Sequence, residues 1–205
     1  MSITINGTGS ITGLTAGGLP DGSITSDDIA AGAVTTAKLA AGAGGKILQV
    51  LNTIKTDTFS TSSTSFTDIT GLTLNITPSS SNSKILVLTS VHFAADHGVV
   101  SASFGIGKNG SQMTSFAADA ASNRIRAAMH SYAGDDAGGA GVKNAMFSSS
   151  VTCLDSPGVT SQITYSIMMR TSSGTLYVNR SISDRDTANY EPRTISTLTL
   201  MEVAG

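Results

Sequence analysis

Charged side chains are scarce in this chain of 205 residues: they make up 13% of it, about half the share in an ordinary globular protein. Tryptophan is absent, and a single cysteine, Cys153, excludes an internal disulfide framework. The formal net charge of −2, without any run of Lys or Arg, excludes a nucleic-acid binder that relies on a basic surface. The chain also lacks the high net charge and low hydrophobicity that are typical of disorder.

Long apolar runs are missing as well. No segment approaches the ~18 apolar residues of a membrane span, and the first residues lack the basic and apolar regions of a secretory signal. We therefore expect a soluble protein that is made in a cytosol and does not insert into a membrane. Ser and Thr, in contrast, exceed a quarter of the chain, and 22 Gly accompany them. This composition favours β-structure with many turns.

Residues 1–45 contain a ten-residue repeat in which isolated apolar side chains recur at every fifth position. A period of five fits neither a helix nor a strand, so no single regular element places all of these side chains on one face. The apolar residues at this spacing are Leu14, Leu19, Ile24, Ile29, Val34 and Leu39.

Each repeat also predicts one short helical turn. Ser26 and Thr36 are the expected N-cap residues, and Gly32 and Gly42 stand where a left-handed residue ends such a turn. A lone turn is unstable in water, and one apolar residue per half-repeat cannot form a core within one chain. We therefore predict a trimeric stem, in which three chains bring these apolar residues together in layers. A flexible Ala/Gly linker is the alternative, but it does not explain the strict spacing.

From residue 46 onward the pattern changes to short strands bounded by turn residues. The segment 84–93 is apolar enough to be predicted as a strand covered on both faces. The segment 118–144, rich in Ala, Gly and Asp, is predicted to be a long surface loop. Without a long helix, the pattern predicts an all-β fold over residues 46–205, an antiparallel jelly-roll-like sandwich. The predicted strands are 72–76, 84–93, 101–106, 146–154, 162–170, 176–180 and 194–203.

Two glycine motifs are better explained by structure than by nucleotide binding. Residues 105–110 match GxGxxG, but that fingerprint requires a following helix, whereas residues 111–116 predict a return strand. We therefore expect a hairpin turn around Asn109-Gly110. Residues 42–46 are predicted to be a hinge rather than a phosphate loop, because Ile47 stands where a Ser or Thr would hold magnesium. No arrangement of catalytic residues is visible, so we expect no enzyme activity and no cofactor.

A cluster of polar residues near the C-terminus permits two interpretations. The carboxylates of Asp184, Asp186 and Glu191 could bind calcium, which prefers several oxygen ligands. The neighbouring Arg180 and Arg185 favour an internal ion-pair network instead, with buried turn groups anchored by hydrogen bonds. The predicted network consists of Asn179, Arg180, Asp184, Asp186 and Tyr190.

The remaining titratable residues do not suggest metal chemistry. Asp135 and Asp136 are expected at a solvated loop tip, and the three histidines lack the spacing of metal ligands. We expect His92 to pack in the core or between chains, and Cys153 to be a small buried apolar residue.

Several stretches resemble structural proteins of tailed bacteriophages, above all tail-fibre-like proteins. They are the C-terminal run YVNRSISDRDTANYEPRTISTLTLMEV, the run GKILQVLNTIKTDTFSTSSTSFTDITGLTLNITPSSSNSKILV at 45–87, and LDSPG at 154–158. The repeat AGAVTTAKLA at 31–40 and the start SITINGTGSITGLTAGGLPDGS are similar to segments of the same proteins. The resemblance covers nearly the whole chain and implies a homotrimeric β-structured fibre or knob in the virion.

The resemblance implies a structural protein made in the cytoplasm of the host, and it leaves two functions open. In the first, residues 1–45 attach a tail fibre or short fibre to other virion proteins, and loops of the head bind a host receptor. The candidate loops are 94–100 and 118–144, with His97, Tyr132, Asp135 and Asp136 as candidate contacts. In the second, the chain is a capsid decoration or cement protein without a receptor role. A depolymerase would require an acidic pair in a groove.

Overall fold

The structure, a computed structural model, divides into two compact units, residues 1–44 and residues 45–205. Within the residues that it describes, no helix has the length and apolar character needed to cross a membrane. The described residues are 24–35, 38, 46–95, 100–133, 144–187 and 189–205.

In the N-terminal unit, a turn of 3₁₀ helix spans Ser26–Asp28. Its N-cap is Thr25 rather than the predicted Ser26: the Asp28 carboxylate accepts hydrogen bonds from the Thr25 N–H (2.9 Å) and hydroxyl (2.8 Å). These bonds lower the pKa of Asp28. Gly32 has a φ of +77°, the left-handed conformation expected at that position. The main-chain bond from Asp28 N–H to Thr25 O recurs ten residues later, from Lys38 N–H to the next repeat's Thr35 O.

Eleven strands are described in residues 45–205. They pair antiparallel throughout and form two sheets, which confirms the predicted all-β sandwich. The strands are β1 (Ile47–Lys55), β2 (Phe59–Thr61), β3 (Thr67–Ile76), β4 (Lys84–Ala95), β5 (Val100–Lys108), β6 (Ser111–Gln112), β7 (Met129–Ala133), β8 (Phe147–Asp155), β9 (Ile163–Thr171), β10 (Leu176–Val178) and β11 (Ser196–Val203).

The pairing order is that of a jelly roll. The first sheet runs β1-β11-β4-β8, with β10 and β2 continuing beside the end of β4. The second sheet runs β3-β9-β5, and β5 pairs with β7 along its first half and with β6 at its end. Four strand pairs are nested in the sequence, as if the chain were one long hairpin. From the inside outward they are β5–β7, β4–β8, β3–β9 and β1–β11. Successive pairs alternate between the sheets, as in a double Greek key.

The core lies between the two sheets and takes alternate side chains from each strand. On β4 the buried residues include Ile85, Val87, Val91 and Phe93. The Phe93 ring meets Phe104 of β5 edge to face, with 4.9 Å between ring centroids. Such contacts between large apolar side chains of both sheets supply the main stabilisation of the sandwich.

The sequence predictions require three corrections in this part of the chain. Strand β4 is buried on its core face only, while its other face is half-buried, so it is not covered on both faces. Residues 94, 95 and 100, assigned to a loop, are buried strand residues. The predicted loop 118–144 contains β7, whose backbone pairs with β5 from Val100 to Phe104. Hydrogen bonding to a neighbouring strand overrides the weak β-propensity of this Ala- and Gly-rich segment.

The hairpin predicted from Asn109-Gly110 is confirmed. Lys108 pairs with Ser111, and both intervening residues have positive φ, +51° and +80°, as a type I′ turn requires. The return strand is only two residues long, because a 3₁₀ turn follows at Thr114–Phe116.

Candidate functional site

The described apolar residues of the N-terminal repeat are exposed within the single chain. Ile24 is 56% exposed, Ile29 42% and Val34 50%. Their fellow residues Leu14, Leu19 and Leu39 lie outside the described residues. Because each of these side chains is about half exposed, covering it would add about half of the ~1.5–3 kcal/mol that full burial of a large aliphatic side chain supplies.

The head carries a second apolar surface on the outer face of the first sheet. Val50 pairs with Met201, Met201 with Leu86, and Leu86 with Leu154, so that one apolar row crosses all four long strands. Val50 and Leu154 are exposed, and the two central residues are half-buried. We call these four residues the apolar row. Exposed apolar patches of this kind mark surfaces that contact other proteins.

The C-terminal loop contains ion pairs that involve part of the predicted network. Arg193 approaches the Asp184 carboxylate at 2.8 Å and Arg180 approaches it at 3.5 Å. Arg185 binds Glu191 through its Nε at 2.7 Å and also through its main-chain N–H. Burial opposes the charge of Glu191, but the bonds from Arg185 and from the Ser181 hydroxyl (3.0 Å) lower its pKa.

Two members of the predicted network lie outside it. Asp186 is exposed and Tyr190 is 68% exposed, and neither side chain bonds to another described residue. Glu191 and Arg185, which belong to the same cluster in the sequence, pair with each other, and Arg193 is the further partner of Asp184. The loop leaves the side chain of Asp186 exposed to solvent. Among the described residues, no three His, Cys, Asp or Glu side chains are grouped as metal ligands would be.

Asn179 is the buried anchor of this loop. Its φ is +62°, and its side-chain nitrogen donates to the main-chain oxygens of Lys55 (2.8 Å) and Asp57 (2.9 Å). Its side-chain oxygen accepts a hydrogen bond from Ser196 at 2.7 Å. The residue therefore joins the ends of β1 and β10 to the start of β11. His92, expected to pack in the core or between chains, is half-buried and contacts the Ile195 main-chain oxygen through Nδ1 at 2.7 Å. It is therefore not a core residue, and packing between chains stays a prediction.

Two further polar clusters hold the sandwich together. Lys108 of β5 donates to Asp155 at 2.6 Å, and the hydroxyl of Tyr165 on β9 donates to the same oxygen at 2.5 Å. Burial and this bond to the carboxylate raise the pKa of Tyr165. Asp155 belongs to the LDSPG stretch, so that stretch has a structural role here.

Glu202 of β11 is buried and is held by neutral donors. Its carboxylate accepts from the Ser79 N–H at 2.7 Å, the Ser79 hydroxyl at 2.6 Å and the Gln49 amide at 2.6 Å. Burial opposes its charge, but these hydrogen bonds prevail and lower its pKa to about 2.

The outer face of the second sheet contains a groove. Alternate residues of a strand face the same side. On β5 of this sheet the outward residues are all small: Ser101, Ser103, Gly105 and Gly107. Ser103 pairs with Arg170 of β9 on one side and with His130 of β7 on the other. The resulting cavity, which we call the outer groove, has a volume of about 550 Å³, and Arg124 and Ile125 of the loop before β7 form part of its lining.

Of the four candidate receptor contacts, the structure describes Tyr132, which lies beside this groove. Tyr132 is exposed on β7, opposite Ser101, and not in a loop. His97, Asp135 and Asp136 lie outside the described residues. Arg124 and Arg170 were not predicted as functional residues, because no local signal joins residues that are 46 positions apart. Only the fold brings Arg170 of β9 and Arg124 of the loop before β7 to one cavity.

A scan against protein-family models and a search of curated proteins return no match to this chain.

Proposed function

We propose that the chain is a bacteriophage virion structural protein, a homotrimeric tail fibre or short fibre that mediates adhesion to the host. In this proposal the N-terminal unit joins the trimer to other virion proteins, and the β-sandwich head presents its surface to the cell. The location in the virion and the adhesive role both rest on the resemblance of the sequence to phage fibre proteins.

The observation that carries the proposal is the exposure of Ile24, Ile29 and Val34 at strict intervals of five. The single chain leaves about half of each side chain exposed, whereas copies of the same repeat, stacked about an axis, would cover them in successive layers. The recurrence of the same main-chain turn at Asp28 and Lys38 supports a regular repeat rather than an irregular linker.

Two features of the head support association and adhesion. The apolar row gives each head an uncharged surface suited to contact with a second copy of the chain. The jelly-roll framework is stabilised from within, so its outer surfaces are free to carry binding residues. Three heads on one stem would turn weak individual contacts into useful avidity through a high effective concentration.

The experiment uses virus particles that lack the native protein. Two purified proteins are mixed with the particles, which are then pelleted: residues 1–45 fused to an unrelated trimeric domain, and the head fragment 45–205. We expect the fusion to co-pellet and the head to stay in solution. The purified head should then bind host cells and reduce the adsorption of intact virus.

The opposite distribution would show that the head is the docking surface and would favour the decoration or cement function. Counting copies per particle separates these two functions independently. A tail fibre requires a number set by the few symmetry positions of a tail, whereas head decoration requires many more.

A further inference from the structure

The six arginines of the chain fall into two sets of three that differ in their partners. Arg180, Arg185 and Arg193 each approach a carboxylate in the C-terminal loop. The other three gather around the outer groove, and none of them lies within 4 Å of a carboxylate of the described residues. They are Arg124, Arg126 and Arg170.

These three arginines differ in their hydrogen bonds. Arg126 stabilises the loop before β7, since its guanidinium donates to the main-chain oxygens of Ala118 (2.6 Å) and Thr114 (3.0 Å). Arg170 uses only its Nε, which donates to Thr64 O at 2.7 Å, so its terminal NH₂ groups have no acceptor among the described residues. The Arg124 side chain has no hydrogen-bond partner in that part of the chain either. Two guanidiniums whose terminal donors have no acceptor among the described residues thus line one cavity.

The other side chains that line the groove are mostly small, and they mix polar with apolar surface. Ser101 and Ser172 offer hydroxyl groups, whereas Ser103 is buried and its hydroxyl contacts the His130 ring at 3.2 Å. Ile125 adds an exposed apolar side chain to the lining of the groove. A volume of about 550 Å³ falls in the range of small-ligand pockets, which combine an apolar contact with a few convergent polar groups.

We infer that the outer groove binds an anionic saccharide, a sugar unit that carries a carboxylate or a phosphate. The guanidiniums of Arg124 and Arg170 would receive the anion in the forked geometry that suits both groups. The serine hydroxyls would bond to the sugar hydroxyls, and Ile125 would pack against the ring. That the sugar belongs to a cell-surface polymer rests on the proposed adhesive function; the anion site itself rests only on the groove.

The test is calorimetric titration of the intact chain with three probes: tri-galacturonate, the neutral galactose trimer and inorganic phosphate. We expect saturable binding of tri-galacturonate that weakens with added salt, and much weaker binding of the other two. Arg124→Glu should weaken tri-galacturonate binding at least roughly tenfold, because it removes charge-assisted hydrogen bonds and adds a like charge. Arg170→Gln should weaken it in the same direction.

The matched control is Lys84→Glu, the same change of charge at an exposed residue of the first sheet, away from the groove. It should leave binding within about twofold of the unmodified chain. Equal binding of the neutral trimer, no binding of tri-galacturonate, or an equal loss in Lys84→Glu would overturn the inference. So would unchanged binding in both arginine variants, or phosphate binding as tight as that of the sugar. Since no virus or cell is involved, failure here leaves the pelleting experiment unaffected.

Discussion

The N-terminal unit and the β-sandwich use apolar residues in opposite ways. In the sandwich, residues such as Ile85, Val87 and Phe104 are fully buried between two sheets of the same chain. In the N-terminal unit, Ile24, Ile29 and Val34 are exposed. The head obtains its stability from its own core, whereas we propose that the N-terminal unit obtains it from other copies of the chain.

The largest effect is expected from charges placed in the repeat. In the variant with both Ile29→Asp and Leu39→Asp, each chain of a trimer loses two apolar contacts of about 1.5–3 kcal/mol. It also gains carboxylates that would be buried. The heat resistance of the assembly, followed by light scattering, should fall sharply, whereas the head should keep its own melting transition. Thr35→Asp, which adds a charge beside the apolar positions, should have little effect, and an equal loss there would contradict the layered stem.

A core change in the head should act within one chain. Phe104→Ala removes a buried ring that contacts Phe93 and should cost about 3–5 kcal/mol of unfolding free energy. The measurement is urea denaturation of the fragment 45–205, which contains all the buried apolar residues of the sandwich. The unmodified fragment should unfold cooperatively. If it does not, the head depends on the N-terminal unit and the comparison fails.

Glu202 should make the stability of the head depend on pH. Its pKa of about 2 in the folded protein lies below the ordinary value of 4.5, so the folded state binds fewer protons than the unfolded state. The stabilisation that the charged Glu202 carboxylate gives the folded head is therefore complete above about pH 4.5 and is lost as the pH falls towards about 2. Glu202→Gln should flatten this part of the curve of unfolding free energy against pH and lower stability at pH 7 by about 2 kcal/mol. An unchanged slope would show that another group titrates.

The smallest effects are expected in the C-terminal loop, where two neighbouring aspartates form a matched pair. Asp184→Ala removes two partly exposed ion pairs and should cost about 0.5–1 kcal/mol. Asp186→Ala removes an exposed carboxylate without a described partner and should change the melting temperature very little. The same values should be found with a chelator present. A larger effect of Asp186, or one that depends on the chelator, would favour calcium binding.

The sequence predicts features that depend on local chemistry. Asn109-Gly110 gives the type I′ hairpin, because both residues tolerate positive φ. The apolar segments 84–93 and 162–170 correctly predict strands, which the structure shows as β4 and β9. Alternation fails on β3, where both Ile69 and Leu72 are buried although three positions apart. The register is shifted between Asp68 and Thr73, around Gly71 with its φ of +89°.

Features that depend on tertiary pairing escape sequence reasoning. Strand β1 points Val50 and Ile54 outward, so its apolar residues do not indicate which face is buried. Strand β7 is short, and its pairing with β5 was not visible from composition. The outer groove requires three separate strands to align Arg170, Ser103 and His130. Arg124 and Arg170 stand out as lacking a described carboxylate partner only when the ion pairs of the other arginines are known.

The central claim is that the N-terminal repeat needs other copies of the chain. The molar mass of the intact protein, measured by sedimentation equilibrium at several micromolar concentrations, tests it most directly. The account predicts a trimer, three times the 20.7 kDa of one chain, which persists on dilution. A mass of one chain at every concentration would contradict it.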